Sequence, residues 1–199
     1  MPDSEGGEVM KKIFAIEADW EGSAHKQSSI LPMLQCINGI YPMVKYIFRT
    51  ANTEEELKYC LTKFKQISKK NGDYCALIFS GHGSPGNIKF GKEFITIEQL
   101  TELVDKVGTR LFDGHLVHFD ACSVMKNSDK ELKEFIHTTG ASLVTGFNKD
   151  IDFIESLALE MIFIDYLRGN KPLSAYNKAK KNHAELCKRT GFIAMRKNK

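Results

Sequence analysis

The chain has 199 residues, of which 42% are hydrophobic and 27% charged, and a formal net charge of +3. That length supports one well-buried core and is short for two, and no run of eighteen apolar residues offers an ordinary membrane-spanning helix. Five cysteines (Cys36, Cys60, Cys75, Cys122, Cys187) form no CxxC pair, which speaks against a structural zinc site and for reduced thiols rather than a disulfide framework.

The N-terminal "MPDSEGGEVMKK" lacks the basic start, apolar middle and small-residue cleavage site of a secretory signal, so a soluble, cytoplasmic chain is expected, with no membrane partner. Residues 1–9 are polar and read as a disordered extension ahead of a single domain over 10–199. The charge is uneven. Residues 171–199 hold nine Lys or Arg against Glu185 alone, leaving the rest of the chain at −5. These lysines lack interleaved aromatics, so a solvated helix face is expected there rather than nucleic-acid binding.

"KKIFAIEA" (11–18) reads as a first strand, "SSILPMLQCING" as an ambiguous helix or loop, and "MVKYIFRT" (43–50) as a second strand. A helix follows from Thr53, with Glu56 closing a capping box, an apolar stripe of Leu57, Cys60, Leu61, Phe64 and Ile67, and Asn71-Gly72 as its stop. Cys60 therefore belongs to the core. "YCALIFS" (74–80) is a near-continuous apolar run, the mark of a strand covered on both faces. A small hairpin around "NIKFGKEFIT" precedes a helix boxed by Thr96 and Gln99 and closed by Gly108. "HLVHFDA" is the fourth long strand, Ser128 with Glu131 caps the next helix, and "ASLVTGF" (141–147) is the fifth strand. "DFIESLALEMIFIDYL" is an apolar helix. One last helix from Pro172 packs Tyr176, Ala179, His183 and Leu186, with His183 a packing residue, and "GFIAMRK" adds an edge strand. Strands alternating with helices give an α/β fold built on a mainly parallel sheet with helices on both faces.

Active sites in such sheets form beyond the carboxyl ends of the strands. Two residues with chemistry sit there: His82, between Gly81 and Gly83, and Cys122. Adjacent strands would bring their backbones within about 5 Å. An imidazole beside a thiol can take its proton and return it to a leaving amine. The glycines leave room for a substrate backbone, and the N–H groups of Gly83 and Cys122 can donate to an oxyanion. Ser80 and Ser84 can line such a site. His115 and His118, three apart on a strand, diverge, so no metal and no cofactor is expected.

"FSGHG" closing one apolar strand and "HFDACS" closing the next long one resemble the histidine and cysteine motifs of caspase-fold cysteine peptidases, most closely metacaspases and the bacterial caspase-like and gingipain-like domains. The resemblance spans residues 11 to about 197 and implies a caspase-like three-layer sandwich with a Cys122–His82 dyad hydrolysing peptide bonds. It also implies that Asp120, two residues before the cysteine, helps form a pocket for Arg or Lys at P1, the residue before the scissile bond. Asp150 and Asp152, on the loop after the fifth strand, are further substrate-binding candidates, although Asp152 with Glu155 also reads as a helix N-cap. His118 shares strand parity with Asp120 and Cys122, either supporting the site from below or serving as a hydrogen-bonded core histidine. The partners implied are a protein or peptide substrate and, through the C-terminal edge strand, a homodimer or an activating partner. The rival readings are a catalytically inactive binding or assembly module of the same fold, and a flavodoxin-like nucleotide domain, which the single glycine in "EADWEGSAHKQSS" disfavours.

Overall fold

The computed structural model describes residues 12–20, 28–68, 75–126 and 128–196. The expected extension over 1–9 and the Asn71-Gly72 helix stop lie outside these. The elements run β1 (Lys12–Glu17), α1 (Leu31–Ile40), β2 (Lys45–Thr50), α2 (Glu54–Ser68), β3 (Cys75–Ser80), β4 (Gly83–Ser84), β5 (Asn87–Phe90), β6 (Glu93–Thr96), α3 (Ile97–Val107), β7 (Leu116–Asp120), α4 (Asp129–Thr139), β8 (Leu143–Phe147), α5 (Phe153–Leu167), α6 (Pro172–Asn182), α7 (Ala184–Thr190) and β9 (Phe192–Met195). The central sheet has the order β2-β1-β3-β7-β8-β9. Its first five strands are parallel, and β9 closes one edge antiparallel to β8. The "ambiguous" stretch is α1, started by Pro32 in its first turn.

Alternation along each strand divides the core in two. Phe14 and Ile16 of β1, Leu77 and Phe79 of β3, and Val117 and Phe119 of β7 point into a layer shared with Leu57, Leu61 and Phe64 of α2, Leu100 and Val104 of α3, and Phe135 of α4. Ile13 and Ala15, Ala76 and Ile78, and Leu116 point the other way, onto Met33 and Leu34 of α1, Leu159 and Phe163 of α5, and Ala175 and Ala179 of α6. β3 and β7 are buried at every position, as the apolar run of β3 requires, and β7 buries His118 and Asp120 with its apolar residues. The sequence of β1, β2 and β3 reverses direction across the sheet at β1, so a crevice opens at the carboxyl ends of β1 and β3.

Side-chain caps start three of the seven helices among the described residues, α2, α3 and α5. Thr96 and Gln99 form the full reciprocal box at α3. At α2 Thr53 accepts from Glu56 N–H at 3.2 Å, but the returning Glu56 carboxylate takes the N–H of Asn52, one residue earlier than a regular box. Ser128 does not cap α4: its hydroxyl turns back to the Val124 carbonyl at 2.8 Å, tying down the loop that carries Cys122. The last helix is two. His183 leaves helical geometry (φ −131°) and joins α6 to α7, while its ring meets the Tyr166 hydroxyl at 3.2 Å. The hairpin after His82 is a three-stranded sheet, with Gly83–Ser84 as its first strand.

Candidate active site

β3 and β7 are neighbours in register, with Ser80 opposite Asp120. The ladder continues past the strands: Gly81 N–H donates to the Asp120 carbonyl at 3.1 Å. His82 and Cys122 thus each lie two residues beyond one paired position, on the adjacent strand ends of β3 and β7, next to the reversal of strand order between β1 and β3. Farther out, Gly86 N–H donates to the Val124 carbonyl at 3.0 Å, while Lys89 N–H holds the His82 carbonyl at 2.8 Å. Between these clamps the two segments pack backbone to backbone. A Cβ on Gly83 would stand 2.4 Å from the Cys122 carbonyl oxygen and 2.7 Å from a Val124 methyl, so only glycine fits.

His82 is exposed, and its ring meets the edge of Trp20 at 5.5 Å between centroids; Trp20 meets Phe153 of α5 at the same distance. The indole N–H donates to Glu17 Oε1 at 3.3 Å. Glu17, only 5% exposed, also accepts from Ile30 N–H and Ser29 Oγ, each at 2.7 Å, so one carboxylate ties Trp20 to the residues that lead into α1.

Cys122 is half-buried. Burial pushes its thiol up, and the charges of Asp150 and Asp120 add to this, while the Ile151 N–H pulls the other way. At rest the sulfur is therefore a neutral thiol, and no hydrogen bond joins it to the His82 ring among the described residues. Ser123, next in the chain, has a positive φ of 55°, a sparsely populated conformation for a non-glycine residue. Its N–H donates to Lys149 O at 2.8 Å and its hydroxyl to Asp150 Oδ1 at 2.7 Å, which pins the cysteine loop to the β8–α5 connection. Asp152 caps α5, accepting from the N–H groups of Ile154 and Glu155.

Asp120 shares the sheet face of Ser80 and His118, against α5. It is 1% exposed; Oδ2 accepts from Ser80 Oγ at 2.7 Å, and Oδ1 receives no donor other than Glu160 among the described residues. Burial, followed by the neighbouring Glu160, raises its pKa well above the carboxylate range. Below it, His118 is held by Thr145 Oγ1 at 2.9 Å and Glu160 Oε1 at 3.0 Å, and burial lowers it to about 4. His118 is thus a neutral, hydrogen-bonded core histidine. His115 instead packs on Phe64 at 5.3 Å, toward the opposite layer.

Trp20, Glu17 and Glu160 were missed in the sequence. The available signals were a lone tryptophan directly after a strand and a lone glutamate on the inward stripe (Ser156, Phe163, Ile164, Leu167) of a strongly apolar helix.

A family model matches residues 10–195, nearly the whole chain, and is described as a family of unknown function, DUF6642. The chain belongs to that family. No curated protein matches this DUF6642 member. Among solved structures it is similar to the crystal structure of caspase-1 from Spodoptera frugiperda, with a TM-score of 0.56 at 11% identity, over 98% of this chain and 91% of that one. At that identity the likeness concerns the fold: the DUF6642 member has a caspase-like α/β architecture. No helix among its described residues is long and apolar enough to cross a membrane.

Proposed function

We propose that the protein is a cysteine endopeptidase that cleaves after arginine or lysine. The observation that carries the reading is the register: His82 and Cys122 both lie two residues past the Ser80–Asp120 pair, on adjacent parallel strands opening into one crevice. Cys122 Sγ attacks the scissile carbonyl as its proton passes to His82. Gly83 and Cys122 N–H groups, on segments packed backbone to backbone, receive the oxyanion. Collapse breaks the C–N bond, His82 returns the proton to the leaving amine, and water then hydrolyses the thioester. The ring and the sulfur come to working distance with substrate bound. Asp120, about 7 Å behind Cys122 on the same strand face, grips the basic P1 side chain, and Asp150 and Asp152 add negative charge at the rim.

Fluorogenic peptides varied only at P1, tested on wild type and Cys122→Ala, decide the matter. Cleavage after Arg and Lys that vanishes in Cys122→Ala is expected; cleavage after Asp, or activity surviving in the variant, refutes the proposal. The raised thiol and the absent Cys–His bond favour a second reading, an inactive assembly module of the same fold. Such a module would hydrolyse nothing, and Cys122→Ala would retain its biological effect.

A further inference from the structure

Glu160 lies on the inward face of α5, 2% exposed, with Oε1 on His118 and Oε2 receiving no other donor among the described residues. Asp120 Oδ1 likewise receives no other donor among them, and Glu160 acts on Asp120 through both its charge and a carboxyl–carboxyl hydrogen bond. Burial raises both, Glu160 to about 7. Two adjacent carboxylates in a dry site cannot both ionise cheaply, so the pair shares a proton at rest.

Among the described residues, none nearby replaces that proton. β7 contributes neutral His118, β3 the Ser80 hydroxyl and β8 the Thr145 hydroxyl. Glu17 on β1 has both oxygens committed to Trp20, Ser29 and Ile30. Among the described residues no lysine or arginine acts on either carboxyl. Beyond the pair, Cys122 feels the charges of Asp150 and Asp120.

Resting on the peptidase reading above, we infer that Glu160 is a second specificity-determining carboxylate of the P1 pocket: an incoming guanidinium bridges Asp120 Oδ1 and Glu160 Oε2, and the shared proton leaves to solvent. An arginine side chain spans the distance from Cys122 to Asp120, and its planar fork serves two carboxylates where an ammonium is a point charge. Arg is therefore preferred over Lys because there are two acids. No covalent bond changes in this step.

The probe is agmatine, an arginine side chain without the peptide, titrated calorimetrically into full-length Cys122→Ala at pH 6.5 in two buffers of different ionisation heat. Binding at one site with release of roughly half to one proton per agmatine is expected. Adding Glu160→Gln should weaken binding at least about tenfold and abolish most of the proton release, while Glu160→Asp, which keeps the charge, should restore the release. Circular dichroism establishes that each variant is folded. Unchanged affinity and proton release in Glu160→Gln, or no binding to the Cys122→Ala parent, overturns the inference. Turnover separates the two ideas. Wild type that cleaves after Arg with kcat/KM untouched by Glu160→Gln overturns the role of Glu160 and leaves the peptidase standing. Agmatine binding with proton release in a chain whose wild type cleaves nothing supports the cation pocket and removes the peptidase.

Discussion

Replacing Gly83 with alanine puts a methyl group into a space that two backbones already fill. Its ideal position is 2.4 Å from the Cys122 carbonyl oxygen and 2.9 Å from Ala121 Cβ. Restoring even a tight contact requires the segments to part by roughly 0.6 Å, on a repulsive wall that rises steeply. They cannot part freely, because Gly81 N–H to Asp120 O and Gly86 N–H to Val124 O clamp the approach on both sides. Overpacking of this kind costs about 1–3 kcal/mol. For a chain of this size each kcal/mol moves the melting midpoint by about 2–4 °C, so Gly83→Ala should melt roughly 2–12 °C below wild type by circular dichroism. Gly39→Ala is the matched control. It lies in α1 with nothing within 4 Å of its Cβ position, and the substitution should be neutral or stabilise by up to about 1 kcal/mol. A Gly83→Ala variant that melts with wild type would show that the histidine and cysteine segments do not pack as described.

Four further outcomes follow from the same structure. Because folding raises Glu160 from 4.5 to about 7, its stabilising proton is present below pH 4.5 and lost as the pH rises through 7; between pH 4.5 and 8, Glu160→Gln should gain on wild type by about 3 kcal/mol in urea titrations, and parallel curves would contradict the burial argument. Brief iodoacetamide labelling read by mass spectrometry should reach exposed Cys36 and half-buried Cys122 while Cys75, pushed up to about 12 by burial, stays unmodified; Asp150→Asn should quicken Cys122, since that carboxylate opposes the thiolate. Thr96→Ala should cost about 1 kcal/mol through loss of the α3 capping box, measured by chemical denaturation.

The long strands were legible because β3 is a continuous apolar run and β1, β2 and β7 carry β-branched or aromatic residues. The α3 box and the Asp152 cap were legible because each motif acts within four residues. Other features needed the tertiary fold. A two-residue strand such as Gly83–Ser84 has no periodicity to read. The apolar stripe of the C-terminal helix runs through His183 unbroken, since α6 and α7 both bury residues, Ala175, Ala179 and Cys187, on the same layer; the backbone break leaves no mark on it. Ser128 carries a capping pattern, but its hydroxyl found a nearer carbonyl. Glu160 stayed hidden because α5 is apolar on most faces, so spacing alone does not say which way one acid points. Alternation puts Asp120 on the face of Ser80 and His118, yet its closure under Ser80 and Glu160 depends on strand order, which local sequence does not encode.

Trp20 is the chain's single tryptophan, and its ring lies against His82 on one side and Phe153 on the other. The intrinsic ultraviolet emission excited at the red edge of aromatic absorption therefore comes from one point, the wall of the crevice itself. Displacing the imidazole, wetting the indole or shifting the first turn of α5 changes the colour or brightness of that emission. The molecule carries its own optical gauge of occupancy at the strand ends, readable by stopped flow without a label.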